Sequence, residues 1–473
     1  MDLAQTLSIW IPLAATLLGS ACAVHALLTK TRTSTSALAW MLSCLGIPVI
    51  GSLLYLTVGQ SRITKKRLIR RREAVATFEQ RARRSRENHL LERPLGPVGA
   101  SIQALVDAAP IAGNAIAWHV GGEAAFPKVL AAIAHAKRGI CVQFYILDGD
   151  ASGCALRDAL AERVKAGVPV RLIYDAVGCS STPTSFWNSC RSLGIRVYAF
   201  LPISPLRGRF EVNLRNHRKL VIVDGEVAFT GSMNWSNRHL LEEAGTSRDI
   251  MFEIRGPVVT EQLRILAEDW FFVTDEDLRQ DPIFKTPDAC GDLACHVLES
   301  GPDQERFVFH EALLLAIHRS EHRLHLVTPY FVPDPSVSDA LCLAARRGVD
   351  VRLVVPQNPD MRVLRFATDD HIKPLLAAGV RIYRKPGPML HMKLAVIDDE
   401  LVLAGSSNLD QRSFFLNFEA DLAVHGRAFA DGIATLCREE WASSHEVSPF
   451  AELQQRWYRY LMVRLASLFS PIL

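Results

Sequence analysis

His217-x-Lys219-x4-Asp224-x6-Gly231-Ser232-x-Asn234 is followed by His391-x-Lys393-x4-Asp398-x6-Gly405-Ser406-x-Asn408, with the same internal spacing. Six polar or small positions recur 174 residues apart, a pattern that one ancestral unit produces by duplication. The residues around each copy also repeat. Gly167-Val168-Pro169-Val170-Arg171-Leu172 answers Gly348-Val349-Asp350-Val351-Arg352-Leu353, and Gly194-Ile195-Arg196-Val197-Tyr198 answers Gly379-Val380-Arg381-Ile382-Tyr383. The repeat therefore has the size of a domain, too large for a solenoid unit.

Period-2 and period-3.6 apolar patterns alternate through both copies, which is α/β character. In the first copy, strands are expected at 140–146, 168–174 and 195–200, with helices at 155–164 and 184–193. In the second, strands are expected at 324–329, 349–355 and 380–384, with helices at 337–347 and 365–378. Two such α/β domains packed pseudo-symmetrically, each with a mixed central sheet flanked by helices, bring equivalent strand ends together.

Residues 214–223 and 390–397 read as the strands that carry the motifs. Side chains alternate along a strand, so His217 and Lys219 share a face, as do His391 and Lys393. Asp224 and Asp398 fall on the opposite parity and read as turn or structural acceptors. Ser232, Asn234, Ser406 and Asn408, beside glycines that permit close backbone approach, offer donors to an anionic oxygen.

Two histidines, two lysines and these donors make a phosphodiester site that needs no metal. One imidazole can attack phosphorus while the other protonates the departing alkoxide and then deprotonates an acceptor. Each imidazole also needs an orienting carboxylate. Asp249 and Glu419 lie about thirty residues after the motif histidine of their own half and read as that partner, one to each half; Glu253 and Asp421 are the alternatives.

The N-terminus is of another kind. Residues 3–28 and 37–60 carry no Lys, Arg, Asp or Glu, and the second run is broken at Gly46-Ile47-Pro48. At 1.5 Å per residue each can cross about 30 Å of hydrocarbon, so a helical hairpin with spans near 5–28 and 38–58 is expected. The n-region Met1-Asp2 lacks the basic residue of a signal peptide. Residues 61–86 hold eleven Lys or Arg against Glu73 and Glu79. That asymmetry places the chain beyond the hairpin in the cytoplasm and attracts it to an anionic bilayer surface.

Elsewhere the charge is balanced, with a net of +3 and no basic-aromatic stripe, which argues against a nucleic-acid partner. Ten cysteines without a CxxC pair give neither zinc spacing nor a disulfide framework. The expected organisation is a membrane hairpin (1–60), a basic linker (61–100), two α/β domains (101–288 and 289–445) and a helical tail (446–473).

These motifs resemble the phospholipase D superfamily, whose HxKx4Dx6GSxN signature is present twice. Longer stretches are similar to its bacterial cardiolipin synthases: Arg215-Asn216-His217-Arg218-Lys219, Thr328-Pro329-Tyr330-Phe331-Val332-Pro333 with Asp360, and Gly405-Ser406-Ser407-Asn408-Leu409-Asp410-Gln411-Arg412-Ser413-Phe414 followed by Asn417-Phe418-Glu419. The resemblance implies an inner-membrane enzyme that joins two phosphatidylglycerol molecules into cardiolipin with release of glycerol, through a phosphohistidine and without cofactor. It implies His217 as nucleophile, His391 as general acid/base, Lys219, Lys393, Asp224 and Asp398 within the catalytic motifs, and Asp249 and Glu419 as orienting acids.

The chain departs from the family pattern at Gly231-Ser232, where Gly-Gly is common. It departs again at Trp235-Ser236-Asn237-Arg238-His239, where a run ending in Tyr is usual. Those departures leave open a transphosphatidylase using phosphatidylethanolamine or another alcohol; a phospholipase D-type hydrolase, which gives the lipid intermediate to water, is the runner-up enzyme. A non-enzymatic binder of anionic lipid is the alternative of another class. The sequence does not set the oligomeric state.

Overall fold

Runs rich in Val, Ile and Leu form the strands of both halves, and nearly every residue of the central strands is buried. The structure is a computed structural model that describes residues 3–29, 34–59, 89–91, 95–202, 213–240, 247–448 and 463. The basic segment 61–86 and the tail beyond 448, apart from Val463, lie outside the described residues. The chain divides into two compact units: residues 1–63 with 202–214, and the remainder.

In the larger unit the first half contributes β1 (Ile111–Val120), β2 (Ile140–Phe144), β3 (Val170–Asp175), β4 (Arg196–Phe200), β5 (Leu220–Val223), β6 (Val227–Gly231), β7 (Ser247–Arg248) and β8 (Ile250–Arg255). The second contributes β9 (Leu293–Ser300), β10 (Arg323–Val327), β11 (Phe331–Val332), β12 (Asp350–Pro356), β13 (Arg381–Lys385), β14 (Met389–Leu390), β15 (Leu394–Ile397), β16 (Leu401–Gly405), β17 (Leu409–Asp410), β18 (Glu419–His425) and β19 (His445–Glu446).

Fifteen of them form one sheet in the order β4-β3-β2-β5-β6-β8-β1-β9-β18-β16-β15-β10-β12-β13-β19. The order is a palindrome about the β1–β9 seam, with β19 added at one edge. In each half the three outer strands are parallel and the inner ones antiparallel. Parallel neighbours need crossovers, which are the helices Ala151–Lys165 and Thr184–Ser192 in one half and Pro335–Arg346 and Arg362–Ala377 in the other. Asp150 caps the first by accepting from Gly153 N, and Asp334 caps the third by accepting from Ser336 N.

The halves keep separate apolar cores but share the seam. Helix Gly96–Val106 corrects the expected boundaries. It straddles the proposed linker and first domain, yet its Ile102 and Leu105 are buried in the second half's core beside Leu298 and Phe309.

Polar contacts also tie the halves together. Arg218 is fully buried; it donates to Asp269 at 2.9 Å, to Glu299 at 2.7 Å and to the Glu419 carbonyl at 3.1 Å. Helix Val259–Thr274 carries Asp269 together with Arg264, which reaches Glu299 at 3.1 Å.

In the smaller unit, helix Leu3–Thr29 contains a 19-residue stretch, Trp10–Leu28, that is long and apolar enough to cross a membrane. The second apolar run does not form one helix. Proline lacks the N–H that would continue the ladder, so the run splits at Ile47 into Ser34–Gly46 and Pro48–Leu54, followed by a π turn at Tyr55–Gly59. The expected two-span hairpin thus reduces to one qualifying helix. His25 Nδ1 and the Tyr55 hydroxyl, 2.7 Å apart, join the two runs, and outward leucines and isoleucines leave the unit's surface apolar.

Replacing Arg218 by Met would remove the guanidinium from beside buried Asp269 and Glu299 and leave Arg264 on Glu299. We expect a loss of stability of about 3–5 kcal/mol, read as a lower midpoint in denaturant titrations of the detergent-solubilised protein. An unchanged midpoint would show that the arginine does not clamp the halves.

Candidate active site

The strands that carry the motifs are shorter than their apolar patterns. Pairing of β5 with β2 begins only at Leu220, because the residues before it leave the ladder and cross to the other half. Asn216 bridges Phe418 in parallel: His217 N donates to the Phe418 carbonyl at 2.9 Å, and Phe418 N donates to the Arg215 carbonyl at 2.8 Å. The second copy repeats the crossing, with β14 pairing β7 in the register Leu390↔Arg248 and His391 N donating to the Arg248 carbonyl at 2.8 Å.

One residue beyond each crossing lies a histidine, and beside it the next residue of the partner segment is a carboxylate. His217 Nδ1 lies 3.1 and 3.0 Å from the two carboxylate oxygens of Glu419, and His391 Nδ1 lies 2.7 Å from Asp249 Oδ2. The expectation of one acid serving its own half is therefore corrected: the acids are exchanged. Facing a carboxylate, each Nδ1 carries the proton and Nε2 is the nitrogen left for chemistry.

The serines lie beside the acids. Ser232 Oγ donates to Asp249 Oδ1, which also accepts from Ile250 N at 2.8 Å. Glu419 accepts from Asn417 Nδ2 at 3.2 Å, and the nearby Ser406 and Ser413 hydroxyls draw its proton affinity down. A hydroxyl has one proton to give: that of Ser232 goes to Asp249, and Ser406 Oγ donates to the Ala420 carbonyl at 3.4 Å and accepts from Ala420 N at 2.9 Å, so both are engaged within the protein rather than offering donors to phosphate, a second correction. Asn234 Oδ1 accepts from Ile146 N at 3.2 Å, which frees its amide NH2 group. Asn408 is buried, and its Oδ1 has no hydrogen-bond partner among the described residues.

Neither alternative acid meets a motif histidine in this geometry. Glu253 lies 3.2 Å from His119, and Asp421 accepts from Ser407 Oγ at 2.5 Å.

Asp224 and Asp398 behave as their strand parity implies. Each sits in the left-handed region, at φ 57° and 49°, in the turn at the far end of the motif strand. The Asp224 carboxylate accepts from Lys137, Arg138 and Gly139 N, and that of Asp398 from Glu321, His322 and Arg323 N. They anchor the lead-ins to β2 and β10, which corrects their inclusion among the catalytic residues.

Both lysines are buried and close over their own histidines: Lys393 Nζ donates to the His391 carbonyl at 3.0 Å, and Lys219 Nζ to that of His217. Burial pulls Lys219 down to about 7 against Glu419, and Lys393 down to about 8 against Asp249. Burial, Lys219 and Lys393 hold His217 well below its usual value. His391 is pushed down to about 4 by burial and Lys393, with Asp249 opposing. Burial raises Asp249, but His391, His239 and Lys393 outweigh it and keep the carboxyl below its ordinary range.

Two contacts escaped the motif pattern. The Tyr145 ring packs edge-on against His217 with centroids 4.8 Å apart. His239, visible in the sequence only as a departure from the family run, lies with Nδ1 3.5 Å from Asp249 Oδ2. Its equal offset of 22 from His217, matching Ser413 from His391, is the signal that marks the position.

The family model described as "Cardiolipin synthase, PLD-like domain" matches residues 129–270 and 313–441, and "Phospholipase_D-nuclease N-terminal" matches 17–60. The chain is 35% identical to cardiolipin synthase A of Pseudomonas putida (strain W619), over 97% of this chain and 96% of that one. It is 36% identical to cardiolipin synthase A of Pseudomonas aeruginosa (strain UCBPP-PA14), over 96% and 94%. In fold it is similar to the crystal structure of phosphatidylserine synthase from Haemophilus influenzae Rd KW20, with a TM-score of 0.60 at 14% identity, covering 83% of this chain and 99% of that one.

A permanently anionic ligand reads the lysines directly. Their charge is lost as pH rises through about 7 to 8, so the inhibition constant of a non-hydrolysable phosphonate analogue of a phospholipid should climb across that window. A constant flat from pH 6 to 9 would show that the lysines stay charged or do not face the anion.

Proposed function

The chain belongs to the cardiolipin synthase family of phospholipase D-like proteins, and from that premise we propose that it joins two phosphatidylglycerol molecules into cardiolipin and glycerol. That it is an enzyme of phosphatidyl transfer follows from family membership over nearly the full chain. The observation that supports the particular mechanism is the exchanged pair of carboxylate-histidine dyads beneath two buried lysines.

In the first step His217 Nε2 attacks phosphorus and the bond to the glycerol headgroup oxygen breaks. His391, protonated at Nε2, gives its proton to that oxygen. In the second, the terminal hydroxyl of another phosphatidylglycerol loses its proton to His391 and attacks phosphorus, and the P–N bond to His217 breaks. Protons balance over the two steps, and His391 returns to its starting form.

Lys219 and Lys393 offset charge on the non-bridging oxygens, where a dry site strengthens the interaction. The free amide donors of Asn234 extend that cradle. His217 and His391 are only 7% and 9% exposed, so a lipid alcohol delivered from the bilayer competes well against water. An ionised Asp249 stabilises an imidazolium at His391, which suits that histidine to proton transfer.

The membrane reading rests on the smaller unit. We place both apolar runs across the bacterial inner membrane, the second as a kinked crossing, with the catalytic halves on the cytoplasmic side and residues 61–86 at the anionic surface. The boundary between the halves falls in the connection from Thr274 to Leu293.

Purified full-length protein in mixed micelles with labelled phosphatidylglycerol should yield cardiolipin and glycerol one to one. Phosphatidic acid as the sole product would replace synthesis by hydrolysis, and no turnover would sink both.

The exchanged acids have a separate test, using a phosphatidyl ester of p-nitrophenol, a leaving group that needs no proton. Asp249→Asn should keep the nitrophenol burst while slowing later turnover about 10²–10⁴-fold. Glu419→Gln should lose the burst itself. The reverse pattern would return each acid to its own half or exchange the histidines' roles.

A further inference from the structure

The departure at His239 sits inside the site. It closes a short 3-10 turn, Asn237–His239, whose start is held by the Asp150 carboxylate through Asn237 N at 2.7 Å. Behind it, Gly122 lies so close that a Cβ there would meet the His239 carbonyl oxygen. The backbone is thus fixed and the ring is 6% exposed.

Its Nδ1 is buried, makes no hydrogen bond, and lies 3.5 Å from Asp249 Oδ2. That separation is about half an ångström beyond hydrogen-bond length. The same oxygen takes Nδ1–H of His391, and the two imidazole rings lie 6.0 Å apart, edge to face. A nitrogen turned to a carboxylate is favourable only as N–H, which sets the His239 tautomer.

The duplicate supplies an independent observation. Ser413 stands at the position equivalent to His239; its Oγ accepts from Asn408 N at 3.1 Å, and the hydroxyl draws down the proton affinity of Glu419, the other orienting acid. In both halves this position faces the carboxylate of its own half, and that carboxylate serves the opposite histidine. One half fills it with a hydroxyl and the other with an imidazole.

We propose that His239 is a positioning residue that sets the proton affinity of His391 through their shared carboxylate, Asp249. The proposal rests on the transfer mechanism above, in which His391 must both release and accept a proton. A second N–H dipole directed at Asp249 Oδ2 from 3.5 Å draws on the charge that stabilises the His391 imidazolium. His391 is thereby held nearer the point at which it gives its proton to the leaving glycerol oxygen.

The other charged or titratable groups around this pair are Lys393 and Lys219, whose charges also reach His239, and the Tyr330 ring, 6.5 Å from that of His391. Tyr330 directs its hydroxyl to Asp360, and the Arg248 guanidinium turns to Glu440 at 2.7 Å. His217 with Glu419 completes the site. None of these groups changes in a substitution confined to position 239.

The test is the pH profile of cardiolipin formation by the full-length protein in phosphatidylglycerol mixed micelles. His239→Leu removes the donor, and His239→Gln moves it to the place of Nε2. Both should shift the alkaline limb, where His391 loses its proton, upward by about half a pH unit or more. His239→Asn keeps a donor at the place of Nδ1 and should restore the wild-type profile.

Lower activity with an unmoved limb in the Leu and Gln variants would overturn the proposal and leave His239 a packing residue. So would Asn shifting the limb as Leu does. If Leu prevents folding, the contrast between Gln and Asn decides alone. Absence of turnover by the wild-type protein would instead count against the synthase reading.

Discussion

Two short stretches of parallel backbone pairing, Asn216 with Phe418 and Leu390 with Arg248, govern the rest of the site. Each is only a residue or two long and contributes little stability by itself. Its effect is geometric: it takes the motif segment out of its own sheet and sets the histidine beside the next residue of the opposite half. An ancestral half could orient its histidine this way only by pairing with a second copy. A single unit of this design has no complete site, which gives physical content to a duplication held at equal spacing.

That arrangement buries an unusual amount of charge. Two lysines, two histidines and two carboxylates share a volume from which water is largely excluded, and Arg218 with Asp269, Glu299 and Arg264 lies close by. The dielectric cost is met by pairing, and where pairing is incomplete it appears as shifted proton affinity. The lysines are pulled toward neutrality, and both histidines hold a second proton less tightly than a free imidazole, His391 with Asp249 opposing. A phosphodiester anion supplies the negative charge that the lysines lack, so substrate binding and restoration of their full charge are one event. The site is thus electrostatically incomplete without its anion, which suits transient phosphoryl chemistry.

Much of this was legible in the sequence because local periodicity reports local geometry. Strand parity alone separated His217 and Lys219 from Asp224, and Asp224 does anchor the distant turn. The alternation of strands and crossover helices, and the break at Gly46-Ile47-Pro48, follow from the same short-range rules. Spacing could name Asp249 and Glu419 but could not say which histidine each would meet, because that depends on pairing between residues 142 and 202 positions apart in sequence. Ser232 and Ser406 misled for a related reason: a hydroxyl suits phosphate and an acceptor within the protein equally, and only the neighbour decides. Helix Gly96–Val106 joined the second core because an apolar face carries no mark of the half that will bury it.

The duplicated halves have nevertheless ceased to be equal. Glu419 accepts from an amide, and burial raises its proton affinity against Lys219 and the nearby Ser406 and Ser413 hydroxyls. Asp249 is held by one hydroxyl and one backbone N–H, lies between two imidazoles, and stays ionised. Two histidines in identical surroundings would compete for one role, whereas nucleophilic transfer needs one that attacks and one that carries protons. In the proposed mechanism, a strong, ionised carboxylate beside His391 and a weaker one beside His217 separate those roles. The divergence of the two acids and of their supporting residues, Ser413 and His239, is therefore where a symmetric fold acquires a directional reaction.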